Sequence, residues 1–219
     1  GIVGENVLVE SAKSVDEVMK MGFGKCRLSL AVPRNMEYKS VNDLAEKSIA
    51  TSYPKILQNY LDTKNVKADI HVISGSVEIA PSIGLADAIC DIVSTGSTLL
   101  SNGLKEVEQI FQSEAVLVKH KNLSQEKNDI LNNLLFRLEA VKRAQKNKYI
   151  LLNAPNESLP KIFDLLPGIN APTVQALSKQ GWSSVHSVIT QKDFWEKIQQ
   201  LKEAGAEGIL VMPIEKLIY

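Results

Sequence analysis

Residues 86–99 hold the densest set of groups able to do chemistry. Asp87 and Asp91 lie within an apolar run, which ends in a turn made of Ser94, Thr95, Gly96, Ser97 and Thr98. A glycine lets the backbone approach an oxyanion closely, and the flanking amides and hydroxyls can then donate to it. Asp91, at the mouth of this turn, can accept from sugar hydroxyls, so the composition suits a sugar-phosphate site. Ser, Thr and Gly are also generic turn residues, and composition alone leaves an ordinary surface turn open. Asp87 is either a second ribose acid or a strand-end charge.

The elements that must position this turn follow from periodicity. Strands are expected over 26–32, 48–52, 68–73 and 86–93, and helices over 40–44, 55–65 and 77–85. Alternation of this kind implies a mostly parallel α/β sheet, in which ligands bind beyond the C-terminal ends of strands. The turn at 74–78, with Glu78, and the turn at 94–98 share that position. Arg27, in the first strand, reaches a phosphate or is a half-exposed strand residue. Ser52 and Tyr53 follow a strand end, where Tyr53 touches a nucleotide or packs beside Pro54.

Upstream, residues 2–3 read as a strand, Asn6 as a helix cap, and 7–21 as polar and weakly periodic. Downstream, 99–103 read as a turn, 107–111 and 115–118 as strands, and 124–147 as a long helix with Ile130, Leu134, Leu138 and Val141 on a core-facing stripe. From residue 149 the order strand, helix, strand, strand, helix, strand is the ferredoxin-like pattern, with Trp182 and Trp195 expected in its core. The chain opens without Met and with a strand under way, as a piece of a longer protein would.

The 219 residues carry 25 Lys+Arg against 25 Asp+Glu, so no net field favours nucleic acid or an acidic membrane surface. No apolar run approaches the roughly 20 residues of a membrane span, and no signal segment is present, so a cytoplasmic location is expected. Cys26 and Cys90 read as buried reduced thiols. His71, His120 and His186 have no partner at metal-ligand spacing and read as structural.

Six stretches, 4–8, 26–31, 50–54, 75–78, 84–98 and 208–216, together resemble the long form of the ATP phosphoribosyltransferase family. The resemblance implies transfer of the phosphoribosyl group of PRPP onto N1 of ATP, pyrophosphate release, a need for Mg2+, and inhibition by histidine. It implies two α/β lobes like a type II periplasmic binding protein, a regulatory domain, and a homo-oligomer, dimer or hexamer. Residues 1–24 then correspond to a remnant of the first lobe, 25–106 to the second lobe, 107–147 to strands returning to the first lobe plus a connecting helix, and 148–219 to the regulatory domain. Carried over by position, Glu78 and Asp91 match the acids on the PRPP ribose or its magnesium, and Ser94, Thr95, Gly96, Ser97 and Thr98 the loop on its 5′-phosphate. Thr173, Ser187, Val188 and Gly208 match the histidine site. The family's N-terminal basic Gly-Arg segment has no counterpart here, so an inactive piece retaining the PRPP half-site is expected. The rival expectation is a non-catalytic module that senses a small metabolite.

Overall fold

The computed structural model describes residues 1–11 and 14–218. Ala12 and Lys13, within the span read as weakly periodic, and Tyr219, the end of the expected regulatory domain, lie outside the described residues. The chain divides into two compact units, Gly1–Leu123 and Ser124–Tyr219.

In chain order the first unit contains β1 (Ile2–Gly4), α1 (Glu5–Ser11), β2 (Val15–Lys20), β3 (Cys26–Pro33), β4 (Ser48–Thr51), α2 (Pro54–Lys64), β5 (Asp69–Val72), β6 (Ala88–Val93), α3 (Ser97–Ser101), β7 (Leu104–Ser113) and β8 (Ala115–His120). They make a three-stranded sheet, β1-β8-β2, and a five-stranded sheet, β5-β4-β6-β3-β7. In the larger sheet β4 runs parallel to β5 and β6, while β3 is antiparallel to both β6 and β7. The sheet is therefore mixed, which corrects the mostly parallel expectation. Alternating strands and helices report direction only where each strand is fed from the same sheet. β3 is fed from β2 of the small sheet and enters at the opposite end.

Side-chain alternation along β3 serves two cores. Leu28, Leu30 and Val32 join Ile49, Leu57 and Leu61 on one face, and Ala31 joins Ala50, Ile89 and Leu99 on the other. Both faces are covered, so the strand is buried continuously from Leu28 to Val32. Each buried leucine contributes roughly 2 kcal/mol. α2 begins with Pro54 in its first turn and ends on Asn65 at φ 55, both ordinary boundary signals.

Several expected elements differ. Residues 77–85 form only a single 3-10 turn, Val77–Ile79, followed by turns, because Pro81 and Gly84, the latter at φ 72, interrupt any longer helix. β2 lies in the stretch read as weakly periodic, and α3 starts within the region read as a turn. Asn6 is not a cap but a buried residue inside α1, where its amide N–H donates to Ser113 Oγ (3.0 Å) and its Oδ1 accepts from that hydroxyl (2.9 Å). Residues 107–111 belong to β7, which is paired with β3, so of the two expected return strands only β8 joins the small sheet.

The two chain crossings between these sheets, at 21–25 and at Glu114, run side by side. Met21 N–H donates to the Ala115 carbonyl (2.8 Å), Ala115 N–H to the Phe23 carbonyl (3.0 Å), and Gly22 N–H to the Glu114 carboxylate (2.8 Å).

The second unit contains α4 (Gln125–Lys146), β9 (Asn147–Pro155), α5 (Leu159–Leu165), β10 (Thr173–Ala176), β11 (Trp182–Thr190), α6 (Gln191–Glu203) and β12 (Glu207–Pro213). Its antiparallel sheet has the order β10-β11-β9-β12, the ferredoxin-like arrangement expected from the sequence. Ile150, Leu152, Ile162, Val185 and Leu201 form its core. Two core expectations are corrected. Ile130 is 63% and Leu134 43% exposed, and α4 instead buries Ala140 and Ala144. Periodicity says that residues share a face, not what covers it. Trp195 is 70% exposed with its edge against Phe194, and Trp182 lies half-buried beneath the Lys179 ammonium. Among the described residues no helix is long and apolar enough to cross a membrane.

Candidate functional site

Because β4, β5 and β6 are parallel, their C-terminal ends fall on one end of the larger sheet, and antiparallel β3 begins there. This topology gathers the turn at 74–78, Ser52 and Tyr53, Arg27, and the loop at 94–98. Between Glu78 and the loop opens a cavity of about 180 Å³, lined by Glu78, Asp91, Ser94, Thr95, Gly96 and Thr98. Glu78 and Asp91, 13 apart in sequence, thus share one wall. Ser52, Tyr53 and Ser97 do not line this cavity, and Arg27 lines instead a cavity of about 430 Å³ on the other side of Ser94, with Lys20 and Lys25.

The loop is shaped from within. Gly96 has φ 80, and a Cβ built there would meet nothing nearer than Val93 Cγ1 at 3.9 Å. Backbone conformation, not lack of space, therefore asks for glycine. The Thr95 and Ser97 hydroxyls lie 3.0 Å apart in a mutual hydrogen bond, and Ser97 N–H donates to Thr95 Oγ1 at 3.4 Å. Glu78 is delivered by Gly75 and Ser76, both at positive φ (78 and 51). For serine that conformation is uncommon.

Asp91 is half-buried, and burial pushes its carboxyl above the ordinary aspartate value. The Ile92 amide, donating at 2.8 Å, opposes the rise, and the charge of Glu78 adds to it. Two neighbouring acids of which one resists ionisation are arranged for a cation or for hydroxyl donors. Among the described residues no cluster of three or more His, Cys, Asp or Glu could hold a metal by itself.

The structure brings the remaining candidates together only in part. Ser52 lies at the same end but gives its hydroxyl to the Ile73 carbonyl (2.7 Å), tying β4 to the strand beside it. Tyr53 is half-buried; burial raises its phenol, and Asn6 is its hydrogen-bond partner. Arg27 reaches the loop through the Ser94 carbonyl (3.0 Å) while its other nitrogens hold Glu106. Asp87 is not brought to the site. It precedes β6 at the far end, where its carboxylate accepts from the Ser48 amide (2.9 Å) and hydroxyl (2.8 Å). These bonds, the amide first, hold its carboxyl below the ordinary value.

Glu10 and Glu106 were not signalled in the sequence. Glu10, on α1, accepts from Lys55 and Ile56 N–H (both 3.1 Å) at the start of α2, a pairing between residues 45 and 46 apart that local patterns do not encode. Cys90 is buried, and burial raises its thiol, whereas Cys26 is only half-buried. His71 bonds Asp69 on its own strand (2.9 Å), and His186 bonds the Tyr149 hydroxyl across the β9–β11 pair (2.8 Å).

In the second unit Thr173, Ser187 and Val188 line one cavity of about 640 Å³ with Tyr149, Gly168 and His186. Gly208 is not among them. It sits on β12, at the opposite edge of the sheet from β10.

Comparison with known proteins covers both units. The family model of ATP phosphoribosyltransferase (HisG) matches residues 1–140, and that of the HisG C-terminal domain matches residues 144–216. The ATP phosphoribosyltransferase of Cytophaga hutchinsonii is 60% identical over 218 residues, covering 100% of this chain and 76% of that protein. The one from Phocaeicola vulgatus is 57% identical over 218 residues, covering 77% of its length. Among solved structures, the ATP phosphoribosyl transferase (HisG:HisZ) complex from Thermotoga maritima superposes with a TM-score of 0.56 at 32% identity, over 64% of this chain and 67% of that one. With models matched across nearly its whole length and relatives above half identity, the chain belongs to the ATP phosphoribosyltransferase family.

Proposed function

We propose that this chain carries the PRPP-binding half of an ATP phosphoribosyltransferase site, which transfers phosphoribosyl to N1 of ATP with release of pyrophosphate in the first step of histidine biosynthesis. One observation carries the reading: Glu78, Asp91 and, from the hydroxyl loop, Ser94, Thr95, Gly96 and Thr98 line a single cavity in a chain whose family performs that chemistry. The loop amides and hydroxyls orient the 5′-phosphate, and the acids accept from the ribose. Displacement at an anomeric carbon builds positive charge on the sugar, which a nearby carboxylate stabilises. Correct placement of the sugar for attack by the adenine nitrogen supplies the rest, so no nucleophile on the chain is needed.

Two carboxylates fit a magnesium ion that also carries substrate phosphates and water, since Mg2+ is held by one or two protein acids rather than a full cage. When bound, it would neutralise charge on the leaving pyrophosphate. In the second unit, the cavity of Thr173, Ser187 and Val188 supports histidine as effector. Exposed Ile130, Phe136 and Trp195 support self-association.

Titration calorimetry with PRPP and Mg2+ tests the site, alongside pyrophosphate release in the presence of ATP. Saturable, magnesium-dependent PRPP binding is expected, and its absence overturns the proposal; binding without pyrophosphate release identifies a sensing module instead. For the effector, Thr173→Trp fills the cavity and is expected to abolish histidine binding. Unchanged affinity moves that site elsewhere.

A further inference from the structure

We propose that Arg27 and Glu106 form a strut that positions the 94–98 loop, with Arg27 acting through the Ser94 carbonyl and not on the substrate phosphate itself. The inference rests on the PRPP reading of the loop. Main-chain pairing between β3 and β6 ends at Arg27 opposite Val93. Ser94 is the next residue, and its carbonyl is taken by the Arg27 side chain, Nη1 donating at 3.0 Å. A side chain thus continues the ladder by one residue, at the point where the loop leaves the sheet.

The direction of that bond is set elsewhere. Arg27 Nε donates to Glu106 Oε1 at 2.5 Å and Nη2 to Oε2 at 2.6 Å. Two parallel bonds lock a planar guanidinium in place, which leaves Nη1 aimed in one direction. Glu106 is itself held by the hydroxyl of Ser29, a fully buried β3 residue, at 2.7 Å. The Ser94 end of the loop is therefore anchored through Arg27 and Glu106 to the buried middle of β3. The positive charge of Arg27 is matched by Glu106 across both carboxylate oxygens, and three of its five N–H donors are taken by Glu106 and Ser94. Lysine, with a single ammonium, cannot hold both carboxylate oxygens and the carbonyl in this geometry.

The variants Arg27→Met, Arg27→Lys and Glu106→Gln separate a strut from a phosphate ligand. A strut predicts that all three raise the Kd for PRPP about tenfold, that the conservative Arg27→Lys gives no rescue, and that Arg27→Met combined with Glu106→Gln is no worse than either alone. Hydrogen–deuterium exchange without ligand is expected to quicken at amides 94–99 and to stay unchanged along β3 and β6. If Arg27 met the phosphate directly, Glu106→Gln would free it and leave PRPP affinity unchanged or tighter, and that result overturns the proposal. Unaltered exchange in the loop overturns it as well. Should Arg27→Met fail to fold, the near-isosteric Glu106→Gln carries both readouts. A wild-type chain that binds no PRPP removes the functional reading, while the exchange measurement still decides the strut.

Discussion

Asp87 and Asp91 belong to the same strand region four residues apart, and the structure treats them in opposite ways. Asp87, before the start of β6, is exposed, takes two donors from Ser48 on one carboxylate oxygen and is held below its ordinary pKa. Asp91, toward the other end, is half-buried, faces Glu78 and is pushed above its ordinary pKa. One end of the sheet satisfies its acid to join β4 to β6; the other leaves its acid under-satisfied beside a cavity. A carboxylate whose charge the fold favours is a structural tie, and one whose charge the fold resists is equipped to meet a ligand.

That contrast breaks most sharply on substitution of the cavity-facing acid. Asp91→Asn is expected to lower turnover or PRPP affinity by about two orders of magnitude, the scale of one preorganised electrostatic group, with no loss of thermal stability. Calorimetry and a melting curve check both halves. Acidification separates the two ends next. Asp87, with its pKa depressed in the fold, contributes stability that is present above the unfolded value and is lost as pH falls through the lower folded value. Asp91 is raised, so its protonation on acidification relieves the fold while removing the charge a cation-bearing substrate meets. PRPP binding is therefore expected to fade at a higher pH than the one at which the sheet loosens, which parallel binding and unfolding titrations measure; coincident midpoints would contradict the contrast. The smallest effect falls on Asp87→Ala, expected to cost on the order of 1 kcal/mol in chemical denaturation and to leave PRPP affinity unchanged.

What could be read from the sequence was local. The hydroxyl loop with Asp91, and Glu78 just after a strand-end turn, were legible because a turn and the strand before it are contiguous. The ferredoxin-like order was legible because prolines and glycines punctuate its elements. The direction of β3 was not, since it depends on which sheet feeds the strand. The exposure of Ile130 and Trp195 escaped because helical spacing groups apolar residues without naming their cover. The pairing of Arg27 escaped because its partner Glu106 lies 79 residues away, and Asp87 stayed open between a second ribose acid and a strand-end charge until Ser48 was placed beside it.

The paired crossings at 21–25 and Glu114 give the small sheet an unusual attachment. Being bonded to each other, they join it to the larger sheet along one line, with Gly22 and Gly24 at positive φ on that line. A second tie, from the Glu10 carboxylate of α1 to the Lys55 and Ile56 amides of α2, restrains rotation about that line, whose glycines are the residues able to absorb it. The axis passes close to Cys26 and Arg27, where β3 begins. Release of the Glu10 tie would therefore turn the small sheet on a short lever arm beside Ser94, altering the mouth of the cavity more than the core behind it.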